Sequence, residues 1–236
     1  DKLPTSIEKA ARLGYDAIEL ALADANEVNG MHIKRLLDDH GMHLAAISTG
    51  RVFAEKRIAM THQDAAIRRQ TVDVVKGLID LAAPFRSRVT FGRSRGSTPE
   101  GEPRALGEER FIECIRECAD YAAPRHVEIL VEPVNRYEIN FINNVPQAVE
   151  LVRKIDRPNV KVMPDVFHMN IEDATITGSL EQAGALVGYI HFADSNRWAP
   201  GQGHLDFPAI LASLKKIGYD GYVTVEILPY PDPDTA

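Results

Sequence analysis

Four residues in the second half of the chain are of types that bind divalent cations, and each lies at or near the end of a short apolar run. They are Glu132 in VEILVEP, Asp165 in VKVMPD, His191 in VGYIHFAD and Glu226 in YVTVEILP. One acid in such a place is ordinary, because acids often cap the following helix. Four in succession need another reason. Glu132 and Glu226 also follow apolar residues within their runs, where an unpaired carboxylate is costly to bury. A shared divalent cation removes that cost. Carboxylates combined with one imidazole suit a borderline-to-hard ion, Mn²⁺ first, with Mg²⁺, Co²⁺ or Zn²⁺ admissible.

A second tier follows these residues at short spacings. His168 lies three after Asp165, one turn on if the chain begins to coil there; the plainer reading is a helix-start or core histidine. Glu138 is six after Glu132 and Arg197 six after His191, which puts both on loops beyond their runs. Asp206 in GQGHLDFPAIL reads as a helix N-cap with Pro208 in the first turn, a structural role.

The elements that must position these groups repeat as a short apolar run, a turn and a longer amphipathic segment. The runs are 16–20, 44–49, 88–92, 127–132, 160–165, 187–194 and 222–228, nearly continuous in apolar residues as parallel strands covered on both faces are. Helical segments are expected at about 4–13, 27–40, 61–83, 105–123, 145–155, 178–186 and 207–217, with Gly14, Gly41 and Gly218 as C-caps. This alternation implies βαβ units in a single domain over 1–236, an α/β TIM (β/α)8 barrel whose active face collects the strand C-termini. Seven runs are visible and the chain opens on a helix, so a first strand before residue 1 and a last helix after Ala236 are expected outside this chain. The rival, an open doubly wound sheet, would carry a Gly-rich first turn, and no G-x-G-x-x-G follows any run. The polar stretch 93–104 reads as a loop at the active face. Its Arg93 and Arg95 are read either as a carboxylate clamp or as a solvated basic loop.

Composition narrows the partners. A net charge of −7 over 236 residues lacks the basic face that phosphate neutralisation requires, so no nucleic acid is expected. No membrane-length apolar run occurs. The two cysteines, Cys114 and Cys118, share a helix face without forming a C-x-x-C motif and read as small semi-buried side chains of a cytoplasmic protein. A homo-oligomer is expected.

The segments VEPVNRYE, PDVFHMN, HFADSNRWAPGQGHLDF and VTVEILP resemble the sugar isomerase/epimerase group of xylose-isomerase-like barrels. The likeness is strongest to ketose 3-epimerases of the D-tagatose 3-epimerase kind and their keto-sugar-acid relatives, such as 5-keto-L-gluconate epimerase. It covers about residues 5–230 and is most specific from 127 to 228. Carried over position by position, it implies that Glu132, Asp165, His191 and Glu226 ligate one metal and that Glu138, His168 and Arg197 contact substrate oxygens. It also implies that Glu132 and Glu226 serve as the two opposed acid/bases of an epimerase acting on a sugar or sugar acid. Proton removal beside a ketone needs such a base and a positive charge near the developing oxyanion. Three rivals remain in view. Aldose–ketose isomerisation of the hydroxypyruvate isomerase kind, or inosose dehydration, would use the same metal site. A repair endonuclease of the same barrel needs extra histidines that LAAISTG and RVTFGRSRG do not supply. A non-catalytic barrel would leave two such carboxylates without purpose.

Overall fold

Short runs become strands and amphipathic segments become helices, with ends set by local capping chemistry. The computed structural model describes residues 3–232. In chain order the elements are α1 (Leu3–Arg12), β1 (Ala17–Ala21), α2 (Gly30–Asp39), β2 (His43–Ser48), α3 (Gly50–Lys56), α4 (Ala65–Ala82), β3 (Arg88–Phe91), α5 (Arg104–Ala122), β4 (Glu128–Val131), α6 (Val145–Ile155), β5 (Val160–Val162), α7 (Val166–Glu172), α8 (Ile176–Ala183), β6 (Ile190–Phe192), α9 (Phe207–Lys216) and β7 (Val223–Val225). Seven strands thus appear among the described residues, one for each apolar run. Asp64 accepts the Ala66 N–H at 2.8 Å and starts α4 there, four residues later than the apolar pattern suggests. Gly14, Gly41 and Gly218 take positive φ where α1, α2 and α9 stop, as expected. Helices α3 and α7 are not announced by the sequence pattern, since both begin directly behind an apolar run. From β3 onward the strands are shorter than their runs. Pro164 has no N–H to give a ladder, and β5 stops at Val162 instead of reaching Asp165.

Contacts divide the chain into two compact units, Asp1–Ile129 and Leu130–Ala236. In the first, β1, β2 and β3 run parallel in that order, with Leu20 opposite Ile47 and Ile47 opposite Val89. Helices α4 and α5 pack on each other, and their Val75, Ile79, Phe111, Ile115 and Cys118 are all fully buried. Each of these helices ends at an Ala-Ala-Pro step, and the residue that closes the turn, Arg86 or His126, is left-handed. Cys114 and Cys118 are free and buried on one face of α5, as the sequence suggests, and burial raises the Cys114 thiol to about 11. Arg95 is wholly buried and donates to the carbonyls of Phe91 and Gly92, which removes the solvated-loop reading for that residue; Arg93 stays exposed.

In the second unit the backbone links strands in chain order. The Met163 N–H bonds the Val131 carbonyl at 2.8 Å, the Gly188 N–H bonds that of Val162 at 2.9 Å, and β6 pairs in parallel with β7. Asp206 caps α9 by accepting the Ala209 N–H at 3.0 Å, with Pro208 in the first turn. No helix among the described residues is long and apolar enough to cross a membrane.

Phe111 is the test of the first unit's core. Phe111→Ala is expected to lower unfolding free energy by about 3–5 kcal/mol, from lost burial plus the cavity left behind. The same truncation at half-exposed Leu211 is expected to stay within about 0.5 kcal/mol. Urea titrations followed by circular dichroism compare the two; equal midpoints would refute the assignment of the core.

Candidate functional site

Strand register places the four candidate ligands on neighbouring rungs of the second unit. Glu132 stands one residue past β4, whose last carbonyl, that of Val131, accepts from Met163. Asp165 and His191 form a parallel bridge, and the His191 N–H bonds the Pro164 carbonyl at 2.9 Å. The Glu226 N–H bonds the Phe192 carbonyl at 3.0 Å, which puts Glu226 just beyond β7 and beside His191. The result is one cluster: each of the four offers a ligand atom, and these atoms all lie within 4.8 Å of one another. Two ligands held about 2.0–2.4 Å from one ion lie at most about 4–4.8 Å apart, so the spacing suits a single cation.

Asp165 divides its carboxylate between two tasks. Oδ1 accepts the Phe167 N–H at 2.8 Å and caps α7, while Oδ2 accepts from Arg197 Nη1 at 2.8 Å. Arg197 Nη2 pairs with Glu226 Oε2, and that same oxygen is 3.2 Å from His191 Nδ1. Three carboxylates therefore face one guanidinium and one imidazole at a site where Asp165 and His191 are 1% exposed. A divalent cation suits that imbalance of negative charge, and the donor set fits one.

The electrostatics follow from this crowding. Burial, and after it the charge of Glu226, pushes Glu132 up to about 8. Burial opposes ionisation of Glu226 as well, but the His191 hydrogen bond and the charges of His191 and Arg197 outweigh it and hold that carboxyl well below the usual range. Burial also lowers His168. Arg197 is disfavoured by burial, yet Asp165, Glu226 and Glu132 keep its guanidinium firmly charged.

The second tier is brought to the same place. His168, in the first turn of α7, is buried with Nε2 3.7 Å from Glu132 Oε1 and 3.8 Å from Asp165 Oδ2. Arg197 sits at φ 64 with its guanidinium 4.7 Å over the Phe167 ring. Glu138 is exposed on the loop after β4 and accepts from Asn135 Nδ2 at 3.0 Å.

Two residues that the spacing argument does not single out hold this arrangement. Asn135 contacts both Glu138 and His168. Asp194 gathers the Arg197 loop by accepting the N–H groups of Ser195, Gly201 and Leu205 at 2.7, 2.8 and 3.1 Å. Burial opposes its charge, but those backbone donors keep it at about 2. Gly203 packs so closely on the Asp194 carboxylate that a Cβ has no room. The signal for Asp194 is the acid-then-glycine pattern of ADSNRWAPGQG; for Asn135 there is none beyond its place between two candidate residues.

The family described as xylose isomerase-like TIM barrel matches this chain over residues 7–236. The chain belongs to that family. The expected TIM-barrel fold class is therefore right, and the crystal structure of a D-psicose 3-epimerase in the presence of D-fructose matches with a TM-score of 0.87 at 30% identity, covering 97% of this chain and 80% of that one. Among curated relatives in sequence, the D-psicose 3-epimerase of Ruminiclostridium cellulolyticum is 31% identical over 93% of this chain and 76% of its own length. The L-ribulose 3-epimerase of Methylomonas sp. is 32% identical over 94% and 77%. This xylose isomerase-like barrel is an enzyme of the carbohydrate epimerase and isomerase class.

Proposed function

We propose that the chain is a divalent-metal-dependent ketose epimerase that inverts the carbon next to the ketone, with Glu132 and Glu226 as opposed acid and base. The observation that carries this reading is the convergence of Glu132, Asp165, His191 and Glu226 within 4.8 Å, with Arg197 bonded to two of them. The names of the relatives above, 3-epimerases of psicose and ribulose, support a free ketose as the substrate class. A keto-sugar acid is the variant to test beside it. No phosphate-cradling Gly-rich turn occurs in the sequence, which favours an unphosphorylated sugar.

Glu132, Asp165, His191 and Glu226 would hold the ion, Mn²⁺ first by donor type. When bound, the ion supplies Lewis-acid stabilisation of negative charge developing on substrate oxygens. The protein groups do the rest. Glu132 and Glu226 each present one carboxylate to the substrate carbon, so one removes its proton while the other delivers a proton to the opposite face. A single base would return the proton to the face it left. Arg197, kept charged by Asp165 and Glu226, and His168 would donate to the oxygen that becomes the enediolate. Glu138 would accept from a hydroxyl further along the sugar. The two buried free cysteines suit a reducing, cytoplasmic compartment.

A ketose panel incubated with Mn²⁺ in D₂O and read by NMR tests the proposal. The expected product is the epimeric ketose with deuterium at the inverted carbon and the ketone unmoved. Accumulation of an aldose instead would assign the chain to aldose–ketose isomerisation. Metal removal supplies a second reading: chelator is expected to abolish turnover. Returning the ion at about a hundred times its Kd is expected to stabilise the fold by about 2.7 kcal/mol. An ion that leaves the melting temperature unchanged would remove the cation from the account.

A further inference from the structure

Asn135, 2% exposed, has a partner for every polar atom of its side chain. Its Oδ1 accepts the Tyr137 N–H at 3.0 Å, while Nδ2 donates to Glu138 Oε1 at 3.0 Å and lies 2.8 Å from His168 Nδ1. Two of these partners have only one chemistry. A backbone N–H only donates, and an ionised carboxylate only accepts. Turned round, the amide would set donor against donor at Tyr137 and acceptor against acceptor at Glu138. The amide nitrogen therefore faces His168, and Nδ1 must offer it a lone pair. The single proton of the neutral imidazole is then on Nε2.

We propose that Asn135 is a positioning residue that locks His168 in the Nε2–H tautomer, so that its inward nitrogen donates to a substrate oxygen and cannot bind the metal. The identity of that acceptor rests on the epimerase reading above; the tautomer does not. Nε2 stands 3.7 Å from Glu132 Oε1 and 3.8 Å from Asp165 Oδ2, too far for hydrogen bonds but at the edge of the ligand cluster. An imidazole lone pair there would compete for the ion. A protonated ring nitrogen has none, which leaves four ligands where five side chains are within reach. The loop carrying Asn135 is anchored separately. Arg136 bonds Glu172 on α7 through its backbone N–H at 2.6 Å and its guanidinium at 2.9 Å, so the loop stays docked when Asn135 is changed.

Nitrogen-15 NMR of the imidazoles tests this at mildly alkaline pH, with and without diamagnetic Mg²⁺. The His168 signals are assigned among the eight histidines by their loss in His168→Gln. The wild-type ring is expected to carry its proton on Nε2, and a proton on Nδ1 would overturn the proposal without any variant being made. In Asn135→Asp a carboxylate, which can only accept, replaces the donor, so Nδ1 is expected to gain a proton. Asn135→Leu is expected to leave a mixture of tautomers. Both variants are expected to lower kcat about tenfold to a hundredfold with a smaller change in KM, less than the ~10²–10³ cost of removing one transition-state donor outright. A lower melting temperature with an unchanged ring pattern would reduce Asn135 to a structural residue and refute the proposal. If the wild type turns over no ketose, the epimerase reading fails while the tautomer measurement still decides this one.

Discussion

Glu132→Gln and Glu226→Gln are each expected to slow epimerisation by on the order of 10²–10⁴, because each removes one of two proton-transfer groups. The two losses differ in what survives. A glutamine at either position still leaves the other glutamate against its own face of the sugar. Each variant is therefore expected to exchange the α-proton of one epimer with solvent without inverting the centre, and the two variants are expected to favour opposite epimers. Following deuterium incorporation separately into each epimer measures this. Loss of exchange from both epimers in both variants would mean that the glutamates act only through the metal, and the two-base account would fall. Because both residues also belong to the proposed ligand set, ion affinity is measured alongside, and exchange is compared at saturating ion.

Arg197→Met is expected to reduce kcat by about 10²–10³, the cost of one charged donor aimed at a developing oxyanion. It also strips Asp165 and Glu226 of the guanidinium they share, at 2.8 Å in the case of Asp165. Removing one partner of a buried ion pair leaves the other charges uncompensated, at about 3–5 kcal/mol. That loss is expected in full in the chelator-treated protein and in reduced form when the ion is present, since the ion supplies the missing positive charge. Urea midpoints with chelator and with Mn²⁺ give the comparison. An equal loss under both conditions would show that Arg197 and the ion do not share the same carboxylates.

How much of this was legible in the sequence depends on whether a property is local. The strand runs and the residues at or near their ends are local, so Glu132, Asp165, His191 and Glu226 could be collected from position alone, and the structure brings them together. Helix α7 was hidden because Asp165 is at once the end of an apolar run and the cap of the next helix, and a strand pattern absorbs it. Arg95 was open to a solvated reading because composition cannot report that its guanidinium turns back onto two carbonyls of its own chain. Asn135 was invisible for a different reason. Its meaning comes from a histidine 33 positions away, and no spacing rule encodes that pairing.

The double use of Asp165 narrows what evolution can do at that position. Asparagine there would keep the helix cap, since its amide oxygen also accepts from Phe167, but it would forfeit the charge. Glutamate would keep the charge and, with one more methylene, displace the oxygen that caps. Every neighbouring residue type in the genetic code surrenders one task or the other, so the position has no neutral path to drift along. Variation in this enzyme's substrate preference must then arise elsewhere. In the 198–202 loop Gly201, at φ 94, gives its N–H to Asp194 and must stay, whereas Ala199 and Pro200 can change while the Asp194 carboxylate still gathers the N–H groups of Ser195, Gly201 and Leu205, and a library confined to those two residues is expected to keep the loop's fold.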